Sequence, residues 1–200
     1  MNKRLLSLAV AGAMLLGLTG VASAGIPSEV TSSAASAGGV VMITPASNGG
    51  AIGDAGATVT VTVLDAGGAP VPNFPFQDIW LGHNGDNAIA LCQGGSTADL
   101  NTNAAGVTTI SGLIGGGGWS LTTQVYINGT PLDDPALPVA LNSPDIILTG
   151  TSYLVVDAAD FSAFGQDYQT TAFRSDIVND GLVDVADFSR FGQLFGEVCP

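Results

Sequence analysis

Positive charge is almost missing from this chain. Of 200 residues only four are Lys or Arg, against 17 Asp or Glu, and there is a single His. Lys3 and Arg4 stand at the N-terminus, and only Arg174 and Arg190 follow. Without clustered bases the chain cannot neutralise phosphates, which excludes nucleic-acid binding and charge-driven docking on an anionic lipid surface. No lysine follows position 3, so Schiff-base and P-loop chemistry have no residue to use. Two cysteines and one His are too few for a zinc site. No Ser or Cys stands in a recognised nucleophile setting, and His83, in the polar stretch Gly82-His83-Asn84-Gly85-Asp86-Asn87, reads as a turn residue. Nothing marks Asp133-Asp134 or Asp78 and Asp86 as a glycosidase pair. Gly115 to Gly118 is not followed by a helical pattern and reads as a loop rather than a phosphate cradle. No catalytic residue is therefore expected.

The first 24 residues have the form of an export signal. A basic start is followed by an apolar stretch, Leu5 to Leu18, ending in Ala22-Ser23-Ala24. The stretch is shorter than the roughly 20 residues needed to span a bilayer, and no later run replaces it. The mature chain is expected to be secreted, without membrane insertion. Residues 25–39, rich in Ser, Ala and Gly, read as a flexible leader.

Residues 40–142 carry a β pattern. Thr58 to Leu64 alternates Thr and Val with period two, which places the valines on a buried face. Val40 to Ile43, Ile79 to Leu81, Ala88 to Leu91, Val107 to Ile110 and Leu121 to Ile127 are further strand candidates. Asn128-Gly129 is a strong hairpin signal, and with Thr130 also fits a glycosylation sequon. Several short strands over about 100 residues predict a β-sandwich. Phe74, Phe76, Trp80, Trp119 and Tyr126 are expected to help fill its core. The run Ala57-Thr58-Val59-Thr60-Val61-Thr62-Val63, with Asp65, Gly67, Pro70-Val71-Pro72 and the later Thr102 to Thr109, resembles bacterial immunoglobulin-like domains of surface and secreted proteins. That resemblance implies an Ig-like fold and no catalytic residues.

Residues 143–200 contain a duplication. Val156-Asp157-Ala158-Ala159-Asp160-Phe161-Ser162-Ala163-Phe164-Gly165-Gln166 recurs as Val183-Asp184-Val185-Ala186-Asp187-Phe188-Ser189-Arg190-Phe191-Gly192-Gln193. In the second copy Asp176, Asp180, Asp184 and Asp187 fall at positions one, five, nine and twelve of an EF-hand-type calcium loop. Gly181 sits at the sharp turn, and the Leu182 carbonyl at position seven can add an oxygen. Val178 stands where a third-position ligand is expected, which weakens the site. In the first copy Asp157 and Asp160 fill positions nine and twelve, Tyr153 and Leu154 occupy five and six, and Asp145 looks like a first ligand displaced by a four-residue insertion. Phe188, Phe191 and Phe195, and likewise Phe161 and Phe164, mark an apolar helical face.

Two loop–helix units with no preceding helix resemble the dockerin module of secreted polysaccharide-degrading complexes. The resemblance implies a small two-helix module, calcium as cofactor, and docking onto a cohesin-type protein partner. It implies partner selection by Ala158, Ala159, Val185 and Ala186. The expectation is thus a mainly β protein, an Ig-like β-sandwich followed by an α-helical dockerin-like module, that serves in extracellular assembly or attachment. A structural surface or matrix subunit whose repeat packs on its own sandwich is the second reading, and a small glycan-active hydrolase the third. Cys92 and Cys199 can form one bridge, remain free thiols or pair with another chain.

Overall fold

The computed structural model describes residues 25–83 and 89–200. The expected export signal at 1–24, Asp86 and the start of the strand candidate at Ala88 lie outside the described residues.

The structure is mainly β, with ten short strands and two helices among the described residues. The strands are β1 (Ser33–Ala35), β2 (Gly39–Met42), β3 (Val59–Thr62), β4 (Ile79–His83), β5 (Ile89–Leu91), β6 (Val107–Ile110), β7 (Gly116–Gly118), β8 (Thr123–Ile127), β9 (Thr130–Pro131) and β10 (Val139–Asn142). The helices are α1 (Ala158–Asp167) and α2 (Val185–Leu194). One sheet runs β1-β3-β6 and another β4-β8-β9, while β2 lies parallel to β10 and β5 antiparallel to β7.

Alternation decides which faces meet. Val59 and Val61 of β3 are fully buried, Thr60 is exposed and Thr62 lies half-buried under β1. Ile110 closes the same face from β6, and Ile79, Leu81, Val125 and Ile127 oppose it from β4 and β8. All of them join one core, so the two three-stranded sheets form a sandwich. Its pairings, β1 with β3, β3 with β6 and β4 with β8, follow the immunoglobulin-like pattern. The Asn128-Gly129 hairpin forms as expected. Both residues have positive φ, at 51° and 83°, which suits a tight turn that follows the twist of its strands.

Three expectations are corrected. The stretch expected to be a flexible leader supplies β1, paired through Ser33↔Thr62, Ala34↔Val61 and Ala35↔Thr60. Gly115 to Gly118, expected to be a loop, contributes β7, with all three strand residues buried. The aromatic residues do not fill the core centre. Phe74 and Phe76 pack against its edge, but Trp80 and Tyr126 alternate to the outer face of the β4-β8 sheet. There they stack with centroids 5.8 Å apart and planes 7° apart. Trp119 instead meets Phe173, edge on, where the sandwich meets the helices.

The helical part has its own core. Ile146, Val156, Ala163, Phe164, Ile177, Val183 and Phe191 form it, with Met42 from the sandwich against its margin. Three of its pairs are duplicates: Val156 and Val183, Phe164 and Phe191, and, from the loop starts, Ile146 and Ile177. The duplication therefore contributes equivalent side chains to one core, with Phe164 and Phe191 in ring contact at 5.4 Å.

Candidate calcium loops and the helix face above them

Each helix starts the same way. Asp157 caps α1, accepting from the Ala159 amide at 2.7 Å, while Asp160 accepts from the Asp157 amide at 2.9 Å. Asp184 and Asp187 repeat this at α2, at 2.7 Å and 2.9 Å. These are reciprocal capping boxes with acids at both positions, placed where the helix dipole favours negative charge.

The second oxygen of each closing acid reaches back to the start of its loop. Asp187 accepts from the Val178 amide at 2.9 Å. Asp160 accepts from the Ile146 and Ile147 amides at 2.8 Å and 2.6 Å. Asp145-Ile146-Ile147 is therefore the structural counterpart of Asp176-Ile177-Val178, in a loop four residues longer. The same alignment sets Thr149-Gly150 against Asp180-Gly181, rather than Tyr153-Leu154. Gly150 and Gly181 both take positive φ, 63° and 95°, at the turn.

Loop two brings Asp176, Asp180 and Asp187 together, with one carboxylate oxygen from each within 4.8 Å of the others. Asp176 accepts from the Asp180 and Gly181 amides at 3.0 Å and 2.9 Å, which curls the loop around its carboxylate. The one ion pair among the described residues is Arg174 with Asp167, so no basic side chain balances this group. Asp184 stands outside the group and serves as the α2 cap. The Leu182 side chain is exposed.

Loop one gathers its acids differently. Asp145, Asp157 and Asp160 do not converge as the loop-two trio does. Asp145 is fully buried, and neither carboxylate oxygen has a hydrogen-bond partner. Burial pushes its carboxyl up to about 8, with the charges of Asp160 and Asp157 adding to the rise. The Leu154 amide offsets this in part from beyond hydrogen-bond geometry. Burial also raises Asp160, against the pull of the three amides it accepts from. Space for Asp145 exists because Gly117 has no Cβ. One added there would collide with the Asp145 carboxylate.

A residue that sequence reasoning missed holds loop two to the sandwich. Asn142, at the end of β10, is fully buried. Its amide nitrogen donates to the Asp176 carbonyl at 2.5 Å, the Asn179 side chain at 3.0 Å and the Phe173 carbonyl at 3.1 Å. No motif marks it, because its partners lie more than 30 residues away in the chain. Elsewhere Arg174 clamps Asp167 with two bonds, at 2.6 Å and 3.0 Å, and Ser175 adds a third. Burial works against the Asp167 charge, but these bonds outweigh it and hold the carboxyl low.

The cysteines pair. Cys92 and Cys199 form a disulfide with Cα atoms 5.6 Å apart, tying the C-terminus to the turn after β5. Asn48 donates to Glu197 at 2.6 Å beside it.

The helices turn their outer face away from the sandwich. Val185 is 67% exposed, and Ala158 and Ala186 are exposed, while Ala159 is half-buried. The phenylalanines divide into two sets. Phe164 and Phe191 are buried, but Phe161, Phe188 and Phe195 each show about half their surface. With Tyr168 they line a shallow apolar groove between the helices. The four positions expected to meet a partner are thus grouped at the helix N-termini, and Val185 borders the groove.

Among the described residues, no helix is long and apolar enough to cross a membrane. No protein-family model and no curated protein matches this chain. Among solved structures, the crystal structure of the Lin-41 filamin domain is similar to it, at 15% identity over 56% of this chain and 95% of that one, with a TM-score of 0.30.

Proposed function

We propose that this is a secreted, non-catalytic binding protein. Its dockerin-like module takes calcium at loop two and presents the helix face to a protein partner of cohesin type, in extracellular assembly or attachment. The observation that carries the reading is the convergence of three carboxylates without a basic partner, one of them in the first turn of the helix that carries exposed Phe188 and Val185.

The donor set fits a hard divalent cation. Calcium takes six to eight oxygens, and carboxylates on a tight glycine-containing turn are its usual ligands. Asp176, Asp180 and Asp187 would hold the ion, with the Leu182 carbonyl adding an oxygen. Bound calcium would neutralise carboxylates that otherwise repel one another. Because Asp176 and Asp187 also bond the backbone of their own loop, fixing them fixes the α2 start. Val178 contributes no oxygen, so the affinity should fall below that of a complete loop. Asp145, Asp157 and Asp160 do not converge and would form a weaker second site only by closing on an ion, for which the orphaned Asp145 oxygens are the available ligand atoms.

The rival reading, a structural subunit whose repeat packs on its own sandwich, draws support from the loop side. Asn142, Met42, Trp119 and the disulfide anchor that side. The outward side is left uncovered, and this favours a binding role for the helices while the loops serve as the mount.

Calorimetric titration of the chelator-stripped chain with calcium tests the reading. One site of micromolar or weaker dissociation constant is expected, with a second, weaker event at higher calcium. Asp187→Ala should abolish the first event. An absence of binding heat at millimolar calcium, or an unchanged isotherm for Asp187→Ala, would sink the loop-two assignment.

A further inference from the structure

We propose that the cavity beside Trp80, on the outer face of the sandwich, binds a neutral saccharide. It lies far along the chain from the calcium loops and does not depend on the docking reading.

The cavity is built on a paired framework. Trp80 projects from β4 between Tyr126 on β8 and Thr97 on the other side. Ser96 to Ala98 runs along that second edge, with Leu81 donating to the Ser96 carbonyl at 3.1 Å and Ala98 to the Ile79 carbonyl at 2.9 Å. Tyr126 covers one side of the indole in near-parallel contact. It is itself fixed, since its hydroxyl donates to the His83 carbonyl at 3.0 Å and its ring fills the space over Gly82. The cavity, of about 490 Å³, is lined by Thr97 and Ser96 beside Trp80, and Tyr126 is not part of its wall. The indole is therefore held in place before any ligand arrives, which limits the entropy lost on binding.

The lining selects the ligand class. Beside Trp80 and Phe76 stand Gln77, Gln93, Ser96 and Thr97, and no lining residue is ionisable apart from the disulfide-bonded Cys92. In a chain of net charge −13 this is a neutral patch. An anion would find no counter-charge there and a general field of the wrong sign. A cation would find no carboxylate. A purely apolar ligand would desolvate the amides and hydroxyls without replacing their hydrogen bonds. A pyranose ring satisfies both halves of the lining. Its C–H face packs flat on the indole, and its hydroxyls exchange hydrogen bonds with side-chain amides that both donate and accept.

Fluorescence and calorimetry on the full chain test this. Trp119→Phe leaves Trp80 as the one tryptophan, since the sequence holds two. Cellohexaose, xylohexaose and mannohexaose serve as neutral probes, and polygalacturonate as the anionic one. A saturable change in Trp80 emission with at least one neutral hexasaccharide, matched by calorimetric heat on the unmodified chain, is expected. Trp80→Ala should weaken binding by about tenfold or more, which corresponds to roughly 1.4 kcal/mol. Gln93→Ala changes an exposed side chain and leaves folding untouched, so it should weaken binding with an unaltered melt. Failure of all three neutral probes to bind at millimolar concentration overturns the proposal. So does stronger binding of polygalacturonate, or neutral binding that Gln93→Ala and Trp80→Ala leave unchanged.

Discussion

Replacing Cys92 and Cys199 together by serine should lower the thermal midpoint by about 10 °C, the largest effect expected of any change described here. The bridge joins residues 107 apart, so cutting it frees a very long loop in the unfolded chain. In the chain-entropy model a loop of this length contributes roughly 4 to 5 kcal/mol. Its position should also decide where the loss is felt. Cys199 follows α2, and the strand-like contacts around it hold the module closed: Val156 donates to Glu197 at 2.9 Å and Gly196 to Val156 at 2.8 Å. Without the bridge the C-terminal segment should fray first, carrying the last turn of α2 with it, while the sandwich keeps its own fully buried core. Differential scanning calorimetry of the double variant, alongside the oxidised parent, checks this. Equal midpoints, or two titratable thiols in the oxidised parent under denaturant, would refute the pairing and the stability assigned to it.

In calcium-free buffer the protein should lose stability as pH rises from about 4 to about 8, by several kcal/mol in all. The main cause is Asp145, and Asp160, also raised by burial, acts in the same sense. The folded-state carboxyl of Asp145 is pushed up to about 8, against an ordinary value of 3.8. Between those values the folded state keeps a proton that the unfolded state has released. Proton binding therefore favours the fold at low pH, and the advantage declines as pH climbs through the folded value. Each unit of difference corresponds to about 1.4 kcal/mol, reduced in practice by relaxation around the buried group. Paired carboxylates contribute the opposite trend at the acid end, where they become protonated. Asp167, held low by Arg174, contributes in that opposite sense, with stability lost as pH falls. Asp145→Asn keeps the shape and removes the charge, so it should flatten the slope and exceed the parent in stability at pH 8. Urea unfolding in chelator at pH 5, 6.5 and 8 makes the comparison. A parent whose stability rises across that range, or an Asp145→Asn variant no more stable at pH 8, would contradict it.

The parts of this molecule that were legible in its sequence are those whose signal is periodic. The alternating valines of β3 announced a buried face, and the twelve-residue spacing from Asp176 to Asp187 announced a loop that curls on its acids. The repeat itself announced two matching loop–helix units, but not the capping boxes that open both helices. What escaped had no period to show. β1 is three small residues at a sheet edge, and β7 is three glycines with no side chains to alternate. The glycines are required by their neighbours, since Asp145 occupies the place where a Gly117 side chain would be. That constraint links residues far apart in the chain and cannot be read locally. Trp80 lies on the outer face because strand phase outweighs its size. In Ile79-Trp80-Leu81 the two aliphatic residues point inward, so the tryptophan must point out. The site was legible as a ligand list but not as a geometry. Asp184 fits position nine, yet its oxygen is engaged in capping α2, and Asn142 enters from a strand that proline-rich flanks concealed.

On the proposed reading, a cation at loop two orders the helix that carries the exposed face. Amide hydrogen exchange on the full chain, with excess calcium and then with chelator, tests it most directly. Residues 176 to 196 should exchange at least tenfold faster after chelation, while β3, β4, β6 and β8 keep their protection. Equal protection of residues 176 to 196 in both buffers would contradict the claim and leave the acids of loop two as a solvated, self-sufficient turn.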